Sequence, residues 1–186
     1  MFLTGHLLIA MPGLQDPNFQ RTVTYICEHS EQGALGIVIN RPLDLDLGEI
    51  LSQLDLTAAD PELARQPVLQ GGPVHQERGF VLHEGPGDQP SFDATLAVSD
   101  TIRVTTSQDI LAALASGRGP RRVVLALGYA GWGAGQLEQE MAANAWLSVP
   151  ATNEIIFDTP FEARWRAAAR LLGIDVATLS SDAGHA

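Results

Sequence analysis

The chain holds a single cysteine, Cys27, among its 186 residues, so it can close no disulfide within itself and cannot build a thiolate zinc site. Basic residues are also scarce. Eleven Lys plus Arg stand against 22 Asp plus Glu, for a net charge of −11. Proteins that grip a phosphate backbone do so by neutralising it with Lys and Arg. Here the densest basic spots are Arg121-Arg122 and the stretch from Arg164 to Arg170. Direct DNA binding is therefore disfavoured. Long apolar runs are missing too, and none reaches the 18 or so residues that a membrane span requires. The apolar opening from Met1 to Ala10 has no basic flank and reads as a first strand, so a cytoplasmic protein is expected. Histidines 6, 29, 75, 83 and 185 show no HxxxH or HxH spacing, and no serine sits in a Gly-x-Ser-x-Gly elbow. Neither a metal nor a cofactor is expected.

What is present is enough for a packed domain. The 45% hydrophobic composition can fill a core, and a chain of this length hides about 70% of its unfolded surface on folding. One domain over residues 1–186 is expected. Strands are predicted at Arg21 to Glu28 and Ala34 to Asn40, joined by a hairpin at Ser30 to Gly33. On the first of these, Val23, Tyr25 and Cys27 share one face while Thr24, Ile26 and Glu28 share the other. His29 is placed on the Cys27 face. Apolar positions 47, 50, 51 and 54 predict a short helix. The polar stretch Thr57 to Gln66 is predicted to be a mobile loop. Further strands are predicted at Val68 to Pro73, Gly79 to His83, Thr95 to Val98, Ile102 to Thr105 and Val123 to Leu127. Glu84 to Ser91 reads as loop, and Ser107 or Thr106 as the cap of a helix ending near Ala115. Trp146 to Val149 and Glu154 to Phe157 are predicted edge strands. Thr159, Pro160 and Glu162 form a start signal for a last helix, with loss of the Thr159 hydroxyl expected to cost about 1 kcal/mol. Without regular βαβ alternation, the fold class is α+β, with a mostly antiparallel or mixed sheet.

The stretch from Gly128 to Trp132, followed by helical composition from Gln136, suggests a glycine turn between a strand and a helix. Tyr129, Trp132 and Trp146 can build an aromatic wall there or fill the core. Gln136 lies at the helix start. Asn40 and Arg41 stand at a strand end, where the guanidinium can clamp a carboxylate or simply brace a turn. Gly71 and Gly72 can expose amides to a ligand or mark close backbone packing. Cys27 reads as a small buried hydrophobe, with a reactive thiol as the lesser alternative.

In order and spacing, Asp16-Pro-Asn-Phe19, Gly36 to Pro42, Gly71-Gly-Pro-Val74, Gly79 to His83, Gly128 to Trp132 and Gly135-Gln-Leu-Glu138 make the chain resemble the AlgH/YqgE family of bacterial proteins. The resemblance spans nearly the whole chain. It implies a barrel-like curled sheet with helices outside, and a cytosolic protein without an assigned activity. A regulatory role in exopolysaccharide gene expression is attached to the family name. The expected function is a non-catalytic binding or regulatory domain acting through protein partners. The alternative is a hydrolase or transferase holding a small anionic substrate near Arg41, Gly71-Gly72 and Trp132.

Overall fold

A computed structural model describes residues 1–85 and 92–176. Among these, ten strands form one curled, mostly antiparallel sheet with short helices on its outside and the C-terminal helical segment packed on its inner side, an α+β architecture. The strands are β1 (His6–Ala10), β2 (Val23–Ser30), β3 (Gly33–Val38), β4 (Pro42–Asp46), β5 (Pro67–Gln70), β6 (Val74–Glu84), β7 (Thr95–Ala97), β8 (Ile102–Thr105), β9 (Val123–Gly133) and β10 (Trp146–Pro150). The main path runs β10-β1-β2-β3-β9-β6-β8-β7, while β5 joins β4 to β9. The β5–β9 pair is parallel and the other pairings are antiparallel.

Period-two alternation sorts the strands into an inside and an outside. Val23, Tyr25 and Cys27 of β2 point inward with Phe80, Leu82, Ile102, Val104 and Val124. The interior is completed by Ile155, Ile156, Ala168, Ala169 and Val176 from the C-terminal segment. On the outside, α1 (Leu47–Gln53) and α3 (Asp109–Ala115) cover Val81, Val123 and Leu125. A second outer cluster gathers Leu8, Ile26, Ala130, Trp132 and Trp146 under Leu137 of α4 (Gln136–Ala142).

Several sequence-based expectations need correction. The predicted glycine turn after Leu127 is not a turn, because β9 continues unbroken to Gly133. Gly128 kinks that strand at φ 79°, and the chain reverses only at Gly135, at φ 75°. Pairing of Tyr129 with β6 and of residues 130–133 with β3 holds the segment after the kink extended. Pro42, just past the strand predicted to end at Asn40, begins β4. The polar stretch predicted to be a mobile loop contains α2 (Pro61–Ala64), capped by Asp60 accepting from the Glu62 amide. Glu154–Asp158 is a wide π-type helical turn rather than an edge strand. Thr159 closes that turn, its hydroxyl donating to the Glu154 carbonyl, and so does not cap the last helix. That helix, α5 (Arg164–Arg170), follows a 3-10 turn at Phe161–Ala163 and has no side-chain cap. Neither Ser107 nor Thr106 caps α3. Its N-cap is Gln108, and the Ser107 hydroxyl donates to Asp109 instead. Of the loop predicted at Glu84 to Ser91, Glu84 belongs to β6 and residues 86–91 lie outside the described residues.

His83 on β6 is buried, and its Nε2 lies 2.7 Å from the Thr105 hydroxyl. Burial, aided by the Arg103 charge and opposed by the Glu84 carbonyl, holds its pKa below the ordinary histidine value. The folded state thus disfavours the imidazolium, and the unfolded chain takes up the proton first as pH falls. Stability should rise with pH through the window just below about 6.5 and be lost on acidification through it. Urea unfolding at pH 7.5 and 5.5 checks this. The stability gap between wild type and His83→Gln should narrow at the lower pH, and a widening gap would contradict the burial argument.

Candidate functional site

Where β2, β3 and β9 face β7 across the curl, the inner surface opens into a cleft of about 740 Å³. Its lining includes Cys27, Glu28, His29, Leu35, Leu96, Ala97, Tyr129 and Gly131. A more apolar extension of about 330 Å³ shares Cys27, Glu28, Leu35 and Leu96, and adds Phe80 and Val104. The β-strand register explains the floor. Leu35 pairs with Gly131, so both face inward, and the missing side chain at Gly131 leaves depth beside Tyr129.

A bulge in β2 decides what faces the cleft. Ile26 pairs with Gly36, but Glu28 rather than Cys27 pairs with Leu35. The extra residue reverses the alternation, as β-bulges do. Glu28 therefore joins Cys27 on the cleft side, and His29 turns outward toward α4. This corrects the expectation that His29 shares the Cys27 face. His29 Nδ1 accepts from the Leu3 amide at 2.9 Å, and its Nε2 lies 3.1 Å from Glu138 Oε1. Since Nδ1 is an acceptor, the proton sits on Nε2 and is donated to the carboxylate. That hydrogen bond, first among the causes, holds the Glu138 pKa below the ordinary carboxylate value. The Cys27 thiol is 1% exposed and pushed far up by burial, first of all, and then by the Glu28 charge. It stays protonated, which removes the basis for a reactive thiolate.

The remaining candidates divide between wall and scaffold. Tyr129 lines the cleft and packs edge-on against Phe80 at 5.6 Å. Trp132 borders the cleft, but its ring lies in the outer cluster, 6.1 Å from Trp146. Both indoles donate to Glu140 Oε1, at 3.1 Å and 2.9 Å. Gln136 braces the start of α4, accepting from the Gly133 amide and donating to Glu140 Oε2. Asn40 ties Val23 to Arg21. Arg41 donates to the carbonyls of Asn18 and Gln20, fastening the loop after β1. Its pKa is lowered, chiefly by burial. Gly71 and Gly72 are buried where β5 meets β9; the Gly71 amide donates to Leu127 and its carbonyl accepts from Val38. Tyr129 and Trp132 thus meet at the cleft with Cys27. Arg41, Gly71 and Gly72 line neither the cleft nor its extension, so this cleft does not bring Trp132 together with Arg41 and Gly72, the residues of the alternative small-anion reading.

Sequence reasoning missed Glu28, Leu96 and Glu140. The first is re-aimed by a bulge, the second comes from a three-residue strand, and the third acts across elements. Glu140→Ala should cost about 2 kcal/mol, because it strands two largely buried indole N–H groups. Glu140→Gln, which keeps an acceptor, should cost clearly less. Urea midpoints with the tryptophan emission maximum check both, and equal losses would contradict the shared-acceptor role.

Among the described residues no group of three or more His, Cys, Asp or Glu could hold a metal ion. No helix among them is long and apolar enough to cross a membrane. A curled α+β half-barrel with an open, acid-bordered cleft defines the class of protein. The AlgH-like family profile matches residues 7–177, and the chain belongs to that family. It is 56% identical to a UPF0301 protein of Thioalkalivibrio sulfidiphilus, over 98% of this chain and 96% of that one. A UPF0301 protein of Nitrosococcus oceani is 52% identical, over 100% and 97%. The solution structure of the AlgH protein from Pseudomonas aeruginosa aligns with a TM-score of 0.80 at 48% identity, covering 100% of this chain and 97% of its own. A crystal structure of a Corynebacterium diphtheriae protein aligns with a TM-score of 0.72 at 22% identity, covering 96% and 91%, and bears on the fold alone.

Proposed function

We propose that this protein is a non-catalytic binding domain that takes a protein partner into the cleft between β7 and the β2–β3 hairpin. One observation carries the reading. The cleft is roomy, yet its histidine and its thiol are already committed: His29 uses both ring nitrogens, and burial keeps the Cys27 thiol protonated, which leaves the Glu28 carboxylate with no nucleophile to activate. Nothing in that arrangement offers the pairing of a free base with a nucleophile that covalent catalysis uses. A partly exposed Tyr129 and an exposed Leu96 are instead surfaces that association can cover. A small-anion enzyme gains no support from the geometry, since Arg41 is spent on two carbonyls. Direct DNA binding is opposed by the net charge of −11.

Gly131 supplies a clean test. A Cβ there meets only the Tyr129 ring edge at 3.5 Å, an ordinary contact, so Gly131→Leu should fold and fill the cleft. Tagged wild type and variant are used for quantitative affinity capture from a bacterial lysate. A partner enriched with wild type should be lost at least tenfold in the variant. Identical capture by both would remove the cleft from the account. Trp132→Ala and Arg41→Ala are poor probes, because each disturbs packing or loop anchoring first.

A further inference from the structure

The free edge of β7 lies along this cleft. We propose that the occupant is an extended peptide segment carrying an apolar and a basic side chain two positions apart, which adds as a strand to β7. This rests on the cleft reading above and specifies its ligand.

Hydrogen bonding fixes which β7 groups are free. Thr106 N–H donates to Ala94 O, and Val98 N–H donates to Ile102 O. In an antiparallel pair, bonded positions alternate. Residues 94, 96 and 98 therefore face β8, and Thr95 and Ala97 turn their amides and carbonyls to the other side. Among the described residues no strand pairs with that side. Sheet edges of this kind are templates for an added strand, and β7 is neither bulged nor charged. Leu96 pairs with Val104 and so faces inward with it, 38% exposed, over the apolar extension.

The walls specify the side chains. Phe80, Leu35, Val104 and Leu96 make a pocket of about 330 Å³ for one apolar group. Glu28, exposed and re-aimed by the bulge, borders both that pocket and the main cleft. Same-face residues on an added strand are roughly 7 Å apart, so an apolar side chain in the pocket brings the next one toward Glu28. No arginine lines either part, and the chain contains no lysine, so the carboxylate awaits a cation from outside. A second copy of this chain would bring a net charge of −11 against the same sign. Charge complementarity selects a basic partner.

The probe is the capped peptide acetyl-Thr-Val-Thr-Arg-Thr-Ser-amide, titrated by NMR into the intact protein. It should shift resonances of β7 and Glu28 and slow amide exchange at Ala97 at least tenfold at saturation. Replacing the peptide arginine with glutamate should weaken binding at least tenfold, as should Glu28→Gln weaken the arginine peptide measurably and reduce its salt dependence. Ala97→Pro removes one edge donor without touching the β8 ladder, and should also weaken binding at least tenfold. Should that variant fold poorly, a peptide N-methylated at alternate amides makes the same test on wild type. Equal affinity for the arginine and glutamate peptides, unchanged exchange at Ala97, or no binding at 1 mM would overturn the proposal. Self-association in light scattering that competes with the peptide would assign the edge to a second copy instead, and overturn it as well. The cleft reading is judged separately, by capture with Gly131→Leu, and survives any of these outcomes if that capture is lost.

Discussion

Gly72→Ala is expected to destabilise the fold by about 4 kcal/mol, the largest effect of a single added methyl group among the described glycines. Gly72 has φ 157°, and a Cβ built on it would lie 2.1 Å from the Tyr129 carbonyl carbon and 2.4 Å from the Ala130 nitrogen. Those are backbone atoms of β9, which is held by β3, β5 and β6 together. They cannot step aside as a side-chain tip would. The contact is reciprocal: a Cβ on Gly128 would lie 2.5 Å from the Gly72 carbonyl oxygen, and one on Gly71 would lie 2.4 Å from that of Gly128. The three glycines let the chain leaving β5 press against the kink in β9. Urea unfolding reads the loss directly, with Gly131→Ala as the control that should lose under about 1 kcal/mol. A similar small loss in Gly72→Ala would mean that the two strands do not approach this closely.

Arg164→Ala should cost about 3 kcal/mol or more. The side chain is 2% exposed, in the layer where α5 closes on the sheet interior. Its Nη1 donates to the Ile39 carbonyl at 2.7 Å and its Nε to the Thr159 carbonyl at 2.8 Å, while the guanidinium lies 4.5 Å from the Phe161 ring centroid. Burial pulls its pKa down to about 10, against the favourable charge of Asp158, so it stays a cation at neutral pH. Truncation strands carbonyls from two separate elements and opens a void between them. Lysine keeps the charge but cannot bridge both acceptors with one planar fork, and should recover less than half of the loss. Thermal unfolding of the three proteins checks the order wild type, Lys, Ala. An alanine variant within about 1 kcal/mol of wild type would show that α5 is held by its apolar contacts alone.

The α+β class, the alternation along β2 before its bulge, and the strands around Val68, Phe80 and Val124 were readable from hydrophobic periodicity. So was the family, from motifs spread over the whole chain. Periodicity failed where one backbone event reverses it. The bulge after Ile26 swaps the faces of Glu28 and His29, and neither residue type announces it. At Gly128 to Gly133 glycine content suggests a turn, but pairing with β6 at Tyr129 and with β3 beyond it holds the segment as strand. At Thr159 the local cap signal lost to a π-type turn that uses the same hydroxyl. The candidate site was half readable. Tyr129 and Trp132 were marked by their aromatic character, whereas Leu96 and Glu28 reach the cleft only through the curl of the sheet. Arg41 and the Gly71-Gly72 pair were noticed for chemistry that suits ligands, and the fold spends that chemistry on itself.

The most direct test of the cleft is a photo-reactive benzoylphenylalanine at Leu96, compared in living cells with the same group at exposed Leu171. The cleft position should give discrete adducts with a protein partner that the Leu171 position does not give, and Gly131→Leu should abolish them. The same adducts from both positions, or adducts at Leu96 that survive a filled cleft, would contradict the assignment.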